Sequence, residues 1–327
     1  MGPCIVKVGG MGMKKKGMAY LLIVSFVAVV VVGIFLVQQT FEYQEYQRVE
    51  GTKISVMNSF IDNLNSDMER VIEIGSYRAF IALEDYVAAR GEFLEDIDDS
   101  LEEVLTNGTI DGTQAILMND SSLQAYFETV NVLMNRRGID TDYEIKNIET
   151  NQESPWDVEI VVKAEIIVSD VEETARWNYT EEFSSVVNIE GLRDPLFSVK
   201  TENRVPSTVT RQNQTLVENG DTSNLEEHIE GTYYIESEKA PSFLQRFEND
   251  YNANEKGLES IIDLRDLSDQ DIAVDVDRIK VDYKYFNELE GDKACDFEGV
   301  DEDLYFVITE DRIENYEVES LNYTTNC

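Results

Sequence analysis

Residues 14–37 read KKKGMAYLLIVSFVAVVVVGIFLV, and this stretch determines how the rest of the chain is organised. The part from 18 to 37 carries no charged residue. At about 1.5 Å per residue it is long enough to cross a hydrocarbon core of roughly 30 Å as a helix. Lysines precede it and an acid-rich chain follows it. Because basic residues favour the cytoplasmic side, we predict a single-pass protein of the cell membrane, with a cytoplasmic basic leader (1–17), a transmembrane helix (18–37) and an extracellular C-terminal ectodomain.

The ectodomain is strongly acidic. The chain has 327 residues and a net charge of −39, and the leader contributes four lysines and no acid. Such a surface repels nucleic acid, so we exclude nucleic-acid binding. Apolar residues make up 42% of the sequence, which is enough for the ectodomain to build a hydrophobic core. The acidity fits a solvated surface, and collection of divalent cations is the alternative.

The three cysteines are divided between the two sides of the predicted membrane helix. Cys4 lies in the leader, whereas Cys295 and Cys327 lie in the ectodomain, where thiols tend to oxidise. We therefore predict a Cys295–Cys327 disulfide that ties the C-terminal tail to the domain. A free terminal cysteine is the alternative.

The segment after the apolar run argues against an ordinary cleaved signal peptide. Such a signal has an apolar centre of about 7–15 residues followed by a small-x-small site. Here the apolar run is longer, and QQTFEY (38–43) follows it without such a site. An uncleaved anchor is therefore favoured over ordinary cleavage.

The KKKGM junction, followed by an apolar helix that runs on into an amphipathic one, resembles the leader of archaeal type IV pilin-like proteins. The resemblance covers about residues 12–75. It implies cleavage between Gly17 and Met18 by a dedicated peptidase, with the apolar helix kept on the mature protein. It also implies contacts with other copies or other pilin-like subunits through that helix in the core of a filament. Leu22 stands where many pilins have an acidic residue, a departure that bears on assembly more than on processing.

Residues 38–138 are predicted to form a helical stalk and a helical subdomain. Apolar residues recur there at steps of three and four, as on one face of a helix. They include Val49, Val56, Phe60, Leu64, Met68, Val71 and Ile72. Ser121 is a candidate N-cap of a further helix, which Gly138 would follow.

The pattern changes at about residue 140 to runs rich in β-branched and aromatic residues. Residues 139–199 are predicted to form an antiparallel β unit with strands at about 156–168 and 175–189. Residues 200–230 are polar and predict a linker or loop. Residues 231–327 predict a C-terminal α+β region, with a strand at 282–286 and a short helix at 311–316. The predicted fold class is α+β: a transmembrane helix continuing into an amphipathic stalk, then helices packed on an antiparallel β-rich ectodomain.

The sequence offers no motif for catalysis. Its one histidine, His228, is predicted to be a solvated loop residue, and without a base beside a nucleophile a hydrolytic triad is missing. Phosphate-binding, dinucleotide and zinc motifs are also missing. We therefore predict no enzyme activity, no cofactor, and no catalytic, cofactor-binding or metal-binding residues.

Two acidic runs supply the oxygen ligands that calcium prefers, but neither has the Asp-x-Asp-x-Asp-Gly order of a specific calcium loop. The first run comprises Asp266, Asp269, Asp271, Asp275 and Asp277. The second comprises Asp296, Glu298, Asp301 and Asp303. Calcium binding stays open as an alternative.

The ectodomain contains several N-x-S/T sequons, which an exported protein can carry as glycosylation sites. Their asparagines are Asn107, Asn119, Asn178, Asn213 and Asn322. Asn107 and Asn213 fall in predicted loops, which favours them as acceptors.

These observations favour a structural cell-surface protein whose partners are the lipid bilayer and, through the N-terminal helix, other copies or pilin-like subunits. Its acidic ectodomain would serve filament assembly, adhesion or envelope contact. A membrane-tethered ligand-binding or sensor ectodomain is the alternative, and it predicts a concave pocket in 140–327. An extracellular hydrolase using carboxylates is a third hypothesis, and it predicts a cleft with two carboxyl groups at glycosidase separations.

Overall fold

The computed structural model describes the backbone of residues 15–172, 174–288 and 294–324. The side chains of 15–25 and 40–50 lie outside the described set, as do the first fourteen residues of the predicted leader and Cys327. The predicted transmembrane segment is therefore described with its side chains only from Phe26 onward. In the part of the chain so described, no helix combines the length and apolar character needed to cross a membrane.

The described part contains both helices and antiparallel strands, which confirms the predicted α+β class. The helices are α1 (Lys15–Arg90), α2 (Ile97–Asn107), α3 (Leu123–Asn135), α4 (Pro195–Lys200), α5 (Ser223–Glu230), α6 (Phe243–Phe247), α7 (Leu264–Asp269) and α8 (Asp282–Phe286). The strands are β1 (Thr109–Ile110), β2 (Thr113–Gln114), β3 (Ile139–Ser154), β4 (Asp157–Asp170), β5 (Arg176–Asn188), β6 (Tyr234–Glu236), β7 (Leu258–Ser260), β8 (Ala294–Phe297), β9 (Val307–Thr309) and β10 (Tyr323–Thr324). Short 3₁₀ turns occur at Ile116–Met118, Glu302–Leu304 and Glu310–Arg312.

The internal contacts of the chain define two units, an N-terminal unit of residues 1–61 and a C-terminal unit of residues 62–327. This division differs from the six segments predicted from the sequence. In the C-terminal unit, α1 buries a stripe of apolar side chains at steps of three, four and seven, as the amphipathic pattern predicts. The stripe consists of Leu64, Met68, Ile72, Ala79, Phe80, Leu83 and Val87.

The helices after α1 begin and end at capping residues. The carboxylate of Asp96 accepts a hydrogen bond from the backbone of Asp99 at the start of α2, and Gly108 ends that helix with a positive φ. The hydroxyl of Ser122 caps α3, one residue beyond the predicted cap. Together with α1, these helices occupy most of the segment predicted to be helical, and the β1–β2 hairpin lies between α2 and α3.

Strands β3, β4 and β5 form one antiparallel sheet with β4 in the centre. Alternate residues of β4 are buried, as expected for a sheet with one covered face. On that face the ring of Phe127 in α3 stacks on Tyr143 at 4.1 Å between centroids, and the hydroxyl of Tyr179 donates to Asn65 of α1 at 3.1 Å. The predicted antiparallel pairing of the strands at about 156–168 and 175–189 is thus confirmed as β4 and β5. Strand β3 was not predicted. Helices α1 and α3 cover one side of the sheet.

A ladder of short pairings runs through the rest of the C-terminal unit. β6 pairs with β7, and β8 lies between β10 and β9. Isolated bridges extend these pairs: Arg211 bridges Tyr234, and Ile261 bridges Val281. The backbone amide of Lys280 donates to Val307 at 2.8 Å, which connects this ladder to β9.

The prediction of a polar linker at 200–230 is wrong. This segment contributes α5 and several fully or almost fully buried side chains, Val209, Leu216, Leu225 and Ile229 among them. Leu216, Leu225 and Ile229 join a core cluster that includes Cys295, Phe306 and Tyr316. The few apolar residues of this segment pack in the core, while its more numerous polar residues face solvent. The high average polarity of the segment therefore led to the prediction of a linker.

Two shorter predictions also differ from the structure. Residues 282–286 form helix α8 and not a strand. The segment has only five residues, which is too short for the spacing of its apolar residues to distinguish a helix from a strand. The predicted helix at 311–316 is reduced to a 3₁₀ turn.

Candidate functional site

The described part of the apolar N-terminal segment is exposed on all sides. Every residue from 26 to 39 is exposed in the helix. Its large apolar side chains are between 43% and 71% accessible. They are Phe26, Val27, Val29, Val30, Val31, Val32, Ile34, Phe35, Leu36 and Val37. A helix that is apolar all round normally lies inside a protein core or a membrane.

The five sequon asparagines are all exposed, in different local structures. Asn107 is the last residue of α2, and Asn119 follows a 3₁₀ turn. Asn178 lies in β5, opposite Ile167 of β4 and hence on the face of the sheet that the helices leave open. Asn213 lies outside regular structure, and Asn322 precedes β10.

Cys295 lies in β8, is fully buried, and is disulfide-bonded. Cys327, the partner predicted from the sequence, lies outside the described residues. The pairing therefore stays a prediction.

The C-terminal unit contains a buried network of charged side chains centred on Arg246 of α6. Its Nη1 atom contacts Asp194 Oδ2 at 2.6 Å and Asp282 Oδ2 at 2.8 Å, and all three side chains are fully buried. Asp194 also accepts hydrogen bonds from the Tyr234 hydroxyl and from the first turn of α4. Asp282 also accepts a hydrogen bond from Ser260. Because none of these groups reaches the surface, the network has no access to a substrate and holds α4, α6 and α8 together.

A second buried ion pair lies close to this network. Arg312 Nε donates to Glu259 Oε2 at 2.9 Å, and the guanidinium also contacts the hydroxyl of Tyr283. Burial raises the pKa of Glu259 to about 7, and the charge of Arg312 opposes that rise. The carboxyl therefore titrates near neutral pH.

Glu84 of α1 is a further buried carboxyl. Burial raises its pKa to about 8, so it is mostly protonated at neutral pH. Its Oε2 atom lies 3.7 Å from Arg193 Nε, and Arg193 also pairs with the neighbouring Asp85. Arg193 precedes Asp194, and this loop thus connects α1 with the network around Arg246.

The prediction that His228 is a solvated loop residue is wrong. It lies in α5 and is fully buried among aromatic rings, with Tyr316 at 5.8 Å and Tyr233 at 6.4 Å between centroids. Neither ring nitrogen has a hydrogen-bond partner in the described part. Burial lowers the pKa of His228 to about 4, so the ring is neutral at pH 7. The side chain packs in the core.

An open cavity of about 1060 Å³ lies in the C-terminal unit. Its lining includes the carboxylates of Glu226, Asp277, Asp296, Glu298, Asp301 and Glu302. Apolar side chains also contribute, including Val276, Phe297, Val300 and Tyr305. We call this feature the acidic cavity. Among its described lining residues no side chain is basic.

The two acidic runs do not assemble into a metal site in the described residues, where no group of three or more His, Cys, Asp or Glu side chains is arranged to hold a metal ion. In the first run, the side-chain ammonium group of Lys280 occupies the loop formed by residues 275–278. Lys280 is buried and its Nζ atom donates to the carbonyl oxygens of Val276 at 2.9 Å, of Asp275 at 3.3 Å, and of Arg278. The lysine thus supplies the positive charge around which the backbone folds, and burial lowers its pKa to about 8.

Sequence reasoning missed the Arg246 network because its members are far apart in the chain. Asp194, Arg246 and Asp282 are separated by 52 and 36 residues. The one local signal was the Ala-Pro-Ser start of α6, where Ser242 and Gln245 form a capping box. Searches against family models, curated proteins and solved structures found no match to this chain.

Proposed function

We propose that this chain is a membrane-anchored extracellular surface protein, pilin-like in its N-terminal region, whose acidic ectodomain serves filament assembly or contact with the envelope. The observation that carries the proposal is the exposure of the apolar part of α1 from Phe26 to Val37. Burying a side chain of this size stabilises by roughly 1.5–3 kcal/mol, so ten of them strongly favour lipid or other apolar helices over water. The uncharged run and the lysines before it support the orientation.

Membrane anchoring can be tested on the full chain by fractionation and alkaline extraction. We expect the protein to stay in the membrane pellet. A double substitution Val30→Lys/Val31→Lys should release it, since each charge at the centre of a spanning helix costs about 2.5–3.5 kcal/mol. The matched control is Ile54→Lys/Val56→Lys, which changes exposed apolar residues of the same helix outside the predicted span. An extractable wild-type protein would contradict the proposal.

The pilin-like part of the proposal is tested separately by the mature N-terminus. Mass spectrometry should find a chain that begins at Met18, as cleavage after Gly17 requires. A chain that begins at Met1, Met11 or Met13 would leave an uncleaved anchor. The five exposed sequon asparagines can be mapped in the same experiment, with Asn107 and Asn213 expected first.

The acidic cavity favours a second candidate, a membrane-tethered ligand-binding ectodomain. At about 1060 Å³ it is at the upper end of the range typical of ligand pockets. Its carboxylates suit a cationic ligand. Calorimetry with calcium and with a polyamine would decide, because a sensor should saturate with one of them at a defined stoichiometry.

The hydrolase hypothesis has less support. Glu84 and Glu259, whose pKa values burial raises, do not line the acidic cavity. Assays on glycosides with the full chain would test it.

A further inference from the structure

One end of the C-terminal unit combines unpaired arginines with exposed aliphatic side chains. Val132 and Leu133 near the end of α3 are 55% and 49% accessible, and Val171 in the β4–β5 turn is 62% accessible. Exposed arginines accompany them at 136, 137 and 176. The two turns touch, since the amide of Val171 donates to the carbonyl of Gly138 at 3.1 Å. We call this set the arginine tip: Val132, Leu133, Arg136, Arg137, Val171 and Arg176.

The three arginines are unusual among the cations of this acidic unit. Most of the others are engaged, as Arg246, Arg265 and Arg312 are with carboxylates. In the described part, the side chains at 136, 137 and 176 have no hydrogen bond and no ion pair. The acids of the same two turns, Asp140, Asp170 and Glu172, balance the three arginines, so the described tip is neutral in a chain of −39.

The position of the tip follows from contacts within the unit. Tyr126 of α3 bonds to Asp67 of α1, and Ser121 bonds to Arg78, so α3 runs antiparallel to α1. The C-terminal end of α3 therefore lies at the end of the unit where α1 enters it. The acidic cavity is built from other elements, between α5 and the β8–β9 region.

We propose that the arginine tip of one molecule docks into the acidic cavity of a second copy. The charges are complementary, because the cavity offers six carboxylates and the tip three arginines. The apolar parts match as well, since Val276 and Tyr305 are exposed in the cavity lining and can receive the aliphatic side chains of the tip. Both surfaces belong to the same chain but differ from each other, so the contact is heterologous and extends into rings or open chains of molecules.

This inference goes beyond the proposed function, because it assigns the assembly contact to the C-terminal unit and not to the apolar helix. Its test uses the full chain in nonionic detergent, which covers the apolar segment. A failure of membrane anchoring and a failure of this contact are thus read out in different experiments.

The experiment measures self-association by sedimentation velocity over a range of protein concentrations and salt. Wild-type protein should associate, and salt should weaken the association. The tip variant Arg136→Glu/Arg137→Glu should weaken the association by at least about tenfold, because two carboxylates then face the carboxylates of the cavity. The cavity variant Glu298→Lys/Glu302→Lys should also weaken it, because the summed charge of the six lining carboxylates falls from −6 to −2. All four side chains are exposed and without side-chain hydrogen bonds, so circular dichroism and the unfolding midpoint should not change.

Mixing the two variants gives the decisive result. In the mixture, the unchanged arginine tip of the cavity variant meets the unchanged acidic cavity of the tip variant, so the two variants should associate with each other although each alone associates weakly. The matched controls Arg70→Glu/Lys256→Glu and Glu238→Lys/Glu255→Lys change the same charges elsewhere and should leave association unchanged. A wild-type protein that stays monomeric, or a mixture that does not associate, would overturn the proposal. So would association that requires anionic lipid in the micelles and ignores the cavity variants, which would assign the tip to a lipid surface.

Discussion

Arg246 holds two carboxylates that no other described cation reaches. It lies between Asp194 and Asp282 with all three side chains fully buried. Taking such charges out of water is costly, and the mutual attraction repays that cost only while each charge keeps its partners. The stability of the unit should therefore depend on the guanidinium far more than on any exposed pair.

The first prediction is that Arg246→Met lowers the free energy of unfolding by about 3–5 kcal/mol, because two buried carboxylates lose their counter-charge. The control is Lys163→Met, which removes the partner of Glu182 in an exposed pair and should cost less than about 1 kcal/mol. Urea unfolding of both variants measures the difference. Equal effects would show that the network contributes no more than a surface pair.

At the scale of elements, α1 approaches its neighbours closely at Gly75. A Cβ atom there would lie 3.0 Å from Leu105 Cδ1 and 3.3 Å from the carbonyl oxygen of Ser121. At Gly51, in the same helix, nothing lies within 4 Å. Helix propensity alone favours alanine over glycine by about 1 kcal/mol at both positions. The same substitution at the two positions therefore distinguishes the effect of helix propensity from the effect of packing.

We predict that Gly75→Ala destabilises the C-terminal unit by about 1–3 kcal/mol, because α2 and the turn before α3 must move away. Gly51→Ala should raise helix stability instead. Thermal unfolding followed by circular dichroism measures both. A higher thermal stability of Gly75→Ala would mean that the neighbouring residues move aside without an energetic cost, so that the close approach does not require glycine.

The elements also differ in how far the sequence predicted them. The strands β4 and β5 were predicted because they are long enough to show alternation against one covered face, and α1 because its apolar stripe repeats over many turns. Strands β6 to β10 contain two to four residues each and show no period. The secondary structure of such short segments is determined by contacts with residues that are distant in the sequence. Asp282 illustrates this, since it begins α8 and joins a network whose other members come from distant parts of the chain.

At the scale of the whole molecule, buried titratable groups set opposite limits on the pH range of stability. Glu84 and Glu259 have folded pKa values raised from 4.5 to about 8 and about 7. Their contribution to stability is fully present below the unfolded pKa and is lost as pH rises through the folded values. His228 has a folded pKa lowered from 6.5 to about 4, so the unfolded chain takes up its proton first and stability falls as pH drops below about 6.5.

The two effects together place the stability maximum on the acidic side of neutrality. Between about pH 4.5 and 6.5 the folded state holds two carboxyl protons that the unfolded state has released, against one histidine proton held only by the unfolded state. Stability therefore still rises as pH falls through this interval, and it declines below it, where the histidine acts alone. We expect the maximum near pH 4.5, several kcal/mol above the value at pH 9 by the same linkage argument.

Unfolding free energies of three proteins between pH 4 and 9 test this prediction. Glu84→Gln/Glu259→Gln should flatten the alkaline decline, because no carboxyl remains to ionise at those two sites. His228→Leu should make the rise in stability between pH 7 and 4.5 larger by about 2–3 kcal/mol, because the opposing histidine effect is removed and each unit of pKa difference corresponds to 1.36 kcal/mol. Each variant serves as the other's control above about pH 6.5, where only the carboxyl variant should change the slope of stability with pH. Parallel curves for all three proteins would mean that the decline comes from the net charge of −39 and not from these buried groups.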